Sequence, residues 1–367
     1  MATLNRRSLL SLLAAAGLGG AVLPLTGCPS GETTSNTSTT TPDGEGSPAT
    51  NPTGKALKAG LVTDTGGIND KSFNAAAWDG LQRAQKELGY EVKYTESRTN
   101  ADYASNLSRY AQSGYDVVFA VGVLMQDAFK EVAGRFPDVK FAIIDGEAPD
   151  LPNCVAYKFR EEEGSFLVGA LAGAMTKTNT VGFVGGMELP LIKKFEVGYK
   201  AGVQTTNPKA QVKVGYAGKF TDPAKGQEIA LSQMAAGADI LFHASGATGT
   251  GVIKAVAQKG PGFYAIGVDK DQDGEAPGRV LTSMIKRVDV AVFNVCKAVA
   301  MGDFAPGTTV LSLNEDALAL SPMQYTKQDV PEDVMTRINR LETMLRAGEI
   351  KPPTTPEELA TFQPPKL

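Results

Sequence analysis

The chain has 367 residues, with 36 lysines and arginines against 40 aspartates and glutamates and a net charge of −4. That balance leaves no basic footprint for nucleic acid. A single histidine, His243, and three cysteines without CxxC spacing do not build a metal site, and no GxSxG marks a serine nucleophile.

The chain opens with Asn5-Arg6-Arg7-Ser8-Leu9-Leu10, a basic segment, followed by an apolar run through Leu25. A charged start, a short apolar stretch and small residues before a cleavage point are expected of an export signal over residues 1–27. The paired arginines hint at the twin-arginine route, with the general secretory route as the alternative. Leu25-Thr26-Gly27-Cys28 resembles the bacterial lipobox, which would make Cys28 the lipidated (palmitate-bearing) first residue of the mature chain; a plain signal cleaved nearby is the other reading. Residues 28–55 are dominated by Ser, Thr, Pro, Gly and Asn, too poor in apolar surface to offset ordering entropy, and are expected to form a disordered tether. Beyond the leader no apolar run is long enough to span a bilayer, so the folded part is expected outside the cytoplasm, in the periplasm or at the cell surface, held by its anchor.

About 310 residues remain, a length that suits two domains. Short apolar runs alternate with amphipathic segments. Strands are expected at 60–63, 92–96, 117–121 and 141–144, with helices from Ser72, over 102–112 and over 126–135. A second series follows: helix 163–175, strand 181–184, helix 192–203, strand 211–216, helix 223–236, strand 239–243, helix 251–258 and strand 263–268. This βαβα order predicts an α/β fold of two lobes, each a parallel sheet wrapped by helices. Cys154 and Cys296 are either two buried thiols or one disulfide; their separation does not decide it.

The richest stretch is Asp64 to Gly80, DTGGINDKSFNAAAWDG. It follows a buried-strand run and leads into a helix whose apolar stripe is Phe73, Ala77, Leu81, Ala84 and Leu88, stopped by Gly89. An Asp or Ser cap accounts for part of this polarity, but two acids, two amides, a serine and an aromatic exceed what capping needs. No GxGxxG or GxxxxGK[ST] is present, so a dinucleotide or nucleoside triphosphate site is unsupported. In open parallel sheets ligands bind beyond the carboxyl ends of the strands. The residues there are Asp64, Gly122, Asp145, Gly186, Ser245 with Gly246, and Asp269. Asp145 could cap its own loop, or accept hydrogen bonds from the N–H edge of a base.

The run D-x-G-G-x-x-D-x-S-F-N, Asp64 to Asn74, resembles the signature of the basic membrane protein family of lipoproteins, and so do 137–145, 161–173, 181–202, 222–228 and 281–294. The resemblance covers nearly the whole mature chain. It implies a two-lobed periplasmic-binding-protein-like (type I) fold, with no enzymatic activity and no cofactor. It also implies a monomer that captures a purine nucleoside and hands it to the permease and ATPase subunits of an ABC importer. From that fold, lobe 1 is expected over 56–157 with 286–303, lobe 2 over 158–285 with 304–325, and a C-terminal helix and tail over 326–367. Crossings are expected at 154–159 and 281–286, and Thr309–Leu320 is expected to rejoin the second lobe. In the cleft the resemblance assigns Phe73 to stacking on the base and Asp269 to the ribose hydroxyls. Lys286 would neutralise Asp269 and donate to the sugar. For the second aromatic plane, Phe220 on a loop is preferred to Phe195, which sits at core spacing in a helix. Asp64, Ser72, Asn74 and Gly246 complete the expected shell. Other readings are a receptor or sensor for a sugar or another small metabolite, and a nucleoside-processing enzyme using Asp145 or Asp269 as general acid or base.

Overall fold

The computed structural model describes residues 54–366. The expected export signal, the lipidation at Cys28 and nearly all of the tether lie outside the described residues.

The chain begins with β1 (Lys58–Thr63), α1 (Phe73–Leu88), β2 (Glu91–Glu96), α2 (Asp102–Gln112), β3 (Val117–Val121), α3 (Gln126–Arg135), β4 (Lys140–Ile144) and β5 (Cys154–Phe159). It continues with α4 (Glu161–Met175), β6 (Thr180–Gly185), α5 (Pro190–Thr206), β7 (Gln211–Tyr216), α6 (Pro223–Ala235), β8 (Ile240–Ala244), α7 (Thr248–Lys259), β9 (Tyr264–Asp269) and β10 (Val280–Lys286). Last come α8 (Val288–Met301), β11 (Gly307–Leu311), β12 (Leu318–Leu320), α9 (Glu332–Arg346) and α10 (Pro356–Thr361).

Two six-stranded sheets result, ordered β11-β5-β4-β3-β1-β2 and β12-β10-β9-β8-β6-β7. Every pair is parallel except β10 with β12. Central strands such as β3, Val-Val-Phe-Ala-Val, are buried along their whole length, whereas the edge strand β2, Glu-Val-Lys-Tyr-Thr-Glu, has no fully buried position. This is what helices on both faces of a parallel sheet require. Gly89 ends α1 in the left-handed region at φ 73° and donates to Gln85.

Helices α4 and α5 touch backbone to backbone. A Cβ at Gly202 would come within 2.0 Å of the Phe166 carbonyl oxygen, and one at Gly169 within 2.1 Å of that of Tyr199. Similarly α8 returns to pack on α1, where a Cβ at Gly80 would meet the Asp289 carbonyl oxygen at 2.4 Å. Cys154 and Cys296 are both free and buried.

The lobe boundaries differ from expectation: the segments expected as crossings, 154–159 and 281–286, are strands β5 and β10, so Phe159 still belongs to the first sheet and Lys286 to the second, and a third difference lies further on. The segment Gly307–Leu311 pairs in parallel with β5, Gly307 opposite Val155 and Leu311 opposite Phe159, and so belongs to the first sheet. The chain therefore crosses three times: after Phe159, after Lys286, and between Leu311 and Leu318. At the third crossing Ser312 and Glu315 form a reciprocal cap, with the Ser312 amide donating to Glu315 at 2.8 Å. An exposed edge strand carrying two threonines has no apolar run to reveal its sheet.

Candidate functional site

The carboxyl ends of both sheets face one cavity, the place where open parallel sheets bind their ligands. Of the candidates from the sequence, Asp64, Phe73, Asn74 and Asp145 from the first lobe and Phe220, Gly246, Asp269 and Lys286 from the second line it, whereas Ser72 and Gly186 do not. Asp70, Gly122, Phe195 and Ser245 line it as well.

The lobes supply equivalent positions. Asp145 follows β4 and Asp269 ends β9, and these strands hold the same place in the two sheet orders. Both aspartates lie in the left-handed region, at φ 66° and 67°. Aspartate tolerates that conformation better than most residues, and backbone held there clusters at ligand sites.

The loop after β1 organises the first-lobe wall. Asp64 Oδ1 accepts from the Gly66 amide at 2.8 Å and from Asn74 Nδ2 at 2.8 Å. That fixes the Asn74 amide and leaves its buried Oδ1 without a partner in the protein. Asp70, not Ser72, caps α1: its carboxylate accepts from the amides of Ser72, Asn74 and Ala75 at 2.9, 2.8 and 3.0 Å. Ser72 is fully buried, and its hydroxyl donates to Asp269 in the opposite lobe. Gly122 has φ 119°, a backbone conformation that favours glycine, and sits in contact range of Asp64 and the Phe73 ring.

Lys286 is the positive centre of the site. Its Nζ donates to Asp145 Oδ2 at 2.6 Å and lies 3.0 Å from Glu161 Oε1, and all three side chains are buried. The expected direct partner, Asp269, is not the one it meets. Ile285 stands opposite Asp269 in the β9–β10 register. Side chains alternate along a strand, so Lys286 leaves on the other side and reaches the first lobe. The ammonium also lies 5.3 Å from the Phe73 ring centroid and 5.6 Å from that of Phe195. Burial by itself would lower the Lys286 pKa, but Asp145, Glu161 and Asp269 together hold it above its usual value.

The carboxylate values are raised as well, in their case by burial. Burial pushes Asp269 up to about 6 against the pull of Lys286 and the Ser72 hydroxyl, and pushes Asp70 up to about 6 against three backbone amides. Burial also raises Asp64, opposed by Asn74 and Gly66, and takes Asp145 to about 7 with Lys286 opposing. Four aspartates and one ammonium make the cavity rich in acceptors, and Asp145 Oδ1 and Asn74 Oδ1 still lack partners. Its apolar walls are Phe73, Phe195, Phe220, Leu191, Ile192 and Val268. Phe220 stands over Gly186, where a Cβ would come within 2.2 Å of its ring. Such a cavity suits a flat, neutral molecule with a rim of N–H and O–H donors. Among the described residues no group of three or more His, Cys, Asp or Glu could hold a metal ion.

Two participants escaped the sequence reading. Glu161 sits in a run of three glutamates that reads as a solvated helix start, and only the fold shows that Lys286 points at it. Asp70 belonged to the recognised loop but passed for a turn residue.

Two α/β lobes with a shared cleft at their strand ends, lined by aromatics and carboxylates from both, define a type I solute-binding protein. The chain belongs to the Bmp family: the family model described as "ABC transporter substrate-binding protein PnrA-like" matches residues 57–351. It is thus a substrate-binding protein of an ABC transporter, of a family that binds and delivers small molecules and does not transform them. The chain is 40% identical over 322 residues to a CD4+ T-cell-stimulating antigen of Listeria monocytogenes, covering 82% of this chain and 89% of that protein. It is 36% identical over 277 residues to the ABC transporter nucleoside-binding protein BmpA of Lactococcus lactis, covering 70% and 79%. A solved ABC transporter solute-binding protein from Aeropyrum pernix superposes with a TM-score of 0.75 at 30% identity, covering 83% of this chain and 96% of that one.

Proposed function

We infer that this chain captures a purine nucleoside between its lobes and delivers it to a membrane permease. The observation that carries this reading is that Phe73 and Phe220, from opposite lobes, line one cavity together with Asp145 and Asp269. A purine presents two apolar faces to such rings. Asp145, with a free oxygen, accepts from the base edge, and Asp269 accepts from the vicinal ribose hydroxyls by charge-assisted hydrogen bonds. Asn74 and Asp64 extend the acceptor wall, and the Gly246 loop closes the sugar end. A nucleotide, with its added negative charge, is disfavoured by four carboxylates. A lipid anchor at Cys28 would keep the monomeric protein beside its permease.

Calorimetric titration with adenosine, guanosine, inosine, uridine and ribose, with chromatography of the incubated ligand, tests the reading. Reversible binding of one or more purine nucleosides without product is expected. A response to ribose alone, or release of free base, would overturn it. Trp78 lies on α1 with its ring 5.0 Å from that of Tyr94, next to Asp79, which pairs across the cleft with Lys270. Its fluorescence is therefore expected to report closure.

Phe220→Ala is expected to weaken nucleoside binding roughly 10- to 100-fold, the scale of one lost aromatic–base stack. An unchanged dissociation constant would move the second stacking plane to Phe195.

Binding and stability should respond to pH in opposite directions. Asp70 and Asp269 have folded-state values raised to about 6, so the folded ligand-free protein holds more protons than the unfolded chain between about pH 4 and 6. These two groups therefore make stability fall as pH rises through that window. Nucleoside affinity, which needs Asp269 as an acceptor, should fall as pH is lowered through 6. Melting curves and titrations from pH 5 to 8 check both signs.

A further inference from the structure

His243, the one histidine of the chain, lies fully buried in β8, behind the cavity wall. Its Nε2 is 3.0 Å from Gln272 Oε1, and Gln272 Oε1 also accepts from the Val268 amide at 2.9 Å. The other end of the same amide leaves the second lobe: Gln272 Nε2 donates to the Lys71 carbonyl, in the first-lobe loop, at 3.1 Å. The orientation of this side chain is forced by its partners. The Val268 N–H can only donate and the Lys71 carbonyl can only accept. Gln272 must therefore keep its oxygen inward and its NH₂ toward the opposite lobe.

The histidine takes the matching state. Burial pushes His243 down to about 4 despite the Gln272 hydrogen bond, so near neutral pH the ring is uncharged with one N–H. Gln272 Oε1 needs a donor, which places that proton on Nε2. Nδ1 is then an acceptor, 3.5 Å from the hydroxyl of Ser245, a residue of the cavity wall. The backbone on the receiving side is held in place as well. Lys71 has φ 59°, rare for a lysine, and the amide of the next residue, Ser72, is held by Asp70.

From these contacts we propose that Gln272 is a positioning residue that latches the closed state, and that His243 fixes its amide so that the donor faces the first lobe. The latch forms only when the lobes meet, because Lys71 and Gln272 belong to different lobes. Its inner end reaches the cavity wall through His243 and Ser245, so contact made with ligand and contact made across the cleft share one hydrogen-bonded chain.

Gln272→Glu keeps the shape and the inward acceptors but presents an oxygen to the Lys71 carbonyl. His243→Leu removes the ring donor, whereas His243→Gln restores an amide donor. The readout is the interlobe distance by electron–electron resonance between spin labels at Gln85→Cys and Lys254→Cys, both exposed. Cys28 is replaced by serine, and Cys154 and Cys296 are buried. Distances are measured without ligand and with inosine. The closed-to-open ratio is expected to fall about tenfold in Gln272→Glu, the scale of one hydrogen bond. It should fall in His243→Leu and recover in His243→Gln, with the fold of each variant checked by circular dichroism. An unchanged ratio in folded Gln272→Glu overturns the latch, and equal loss in His243→Leu and His243→Gln overturns the role of the histidine. If inosine leaves the wild-type distances unchanged while Gln272→Glu still loses closed molecules, the latch stands and the nucleoside reading falls.

Discussion

Lys286→Met is expected to abolish nucleoside binding and to lower the unfolding free energy by roughly 3–5 kcal/mol near pH 8, the penalty for leaving buried charge unpaired. Lys286 is the counter-ion that Asp145 and Glu161 share at 2.6 and 3.0 Å. Removing it leaves two buried carboxylates side by side. The remaining acids would respond by taking up protons, which raises their folded-state pKa values further. Stability carried by a raised carboxylate is lost as pH rises, so the deficit should be largest in alkaline buffer and shrink toward pH 5. Urea unfolding at pH 5 and pH 8 measures it. A variant as stable as the parent at pH 8 would show that the ammonium is not what keeps these carboxylates tolerable inside the protein.

Asp269→Ala should weaken nucleosides by roughly 100- to 1,000-fold, the scale of two hydrogen bonds to a charged group, while free bases lose far less. Asp269 has two partners to lose, the sugar and the Ser72 hydroxyl that reaches it from the other lobe. Ser72→Ala separates them, because it removes only the closing contact and should weaken nucleoside and base alike. Calorimetry with inosine and hypoxanthine on both variants gives the comparison. Equal loss of the two ligands in Asp269→Ala would take this carboxylate out of the sugar pocket.

Much of the architecture was legible because the parallel strands are buried on both faces and advertise themselves as apolar runs. Val117–Val121 stands where periodicity put it, and Ile240–Ala244 within a residue of it. The edge strands β2 and β7 keep enough alternating apolar residues to be read, whereas β11 has four of its five residues exposed and gives pattern reading nothing to grip. The cavity wall was legible for a related reason. In a parallel sheet the strand ends converge, so a list of polar residues at strand ends is already a list of neighbours in space. Pairings between lobes could not be read this way. Whether Lys286 meets Asp145 or Asp269 depends on which side of β10 it leaves and on how the lobes face each other, and neither is written in a local pattern. Gln272, which reaches Lys71 in the opposite lobe, was invisible for the same reason.

The threefold passage of the chain between lobes bears on how the molecule can be made. A polypeptide stopped at Lys286 would contain β5 without its neighbour β11 and α1 without the helix that seats on Gly80. The half translated first would thus stay unfinished, with an open edge and a bare apolar seat, until nearly all the rest had left the ribosome. Neither half can be cut out as one uninterrupted piece of the gene, and a truncation just after β10 should yield an aggregating product instead of a smaller working domain.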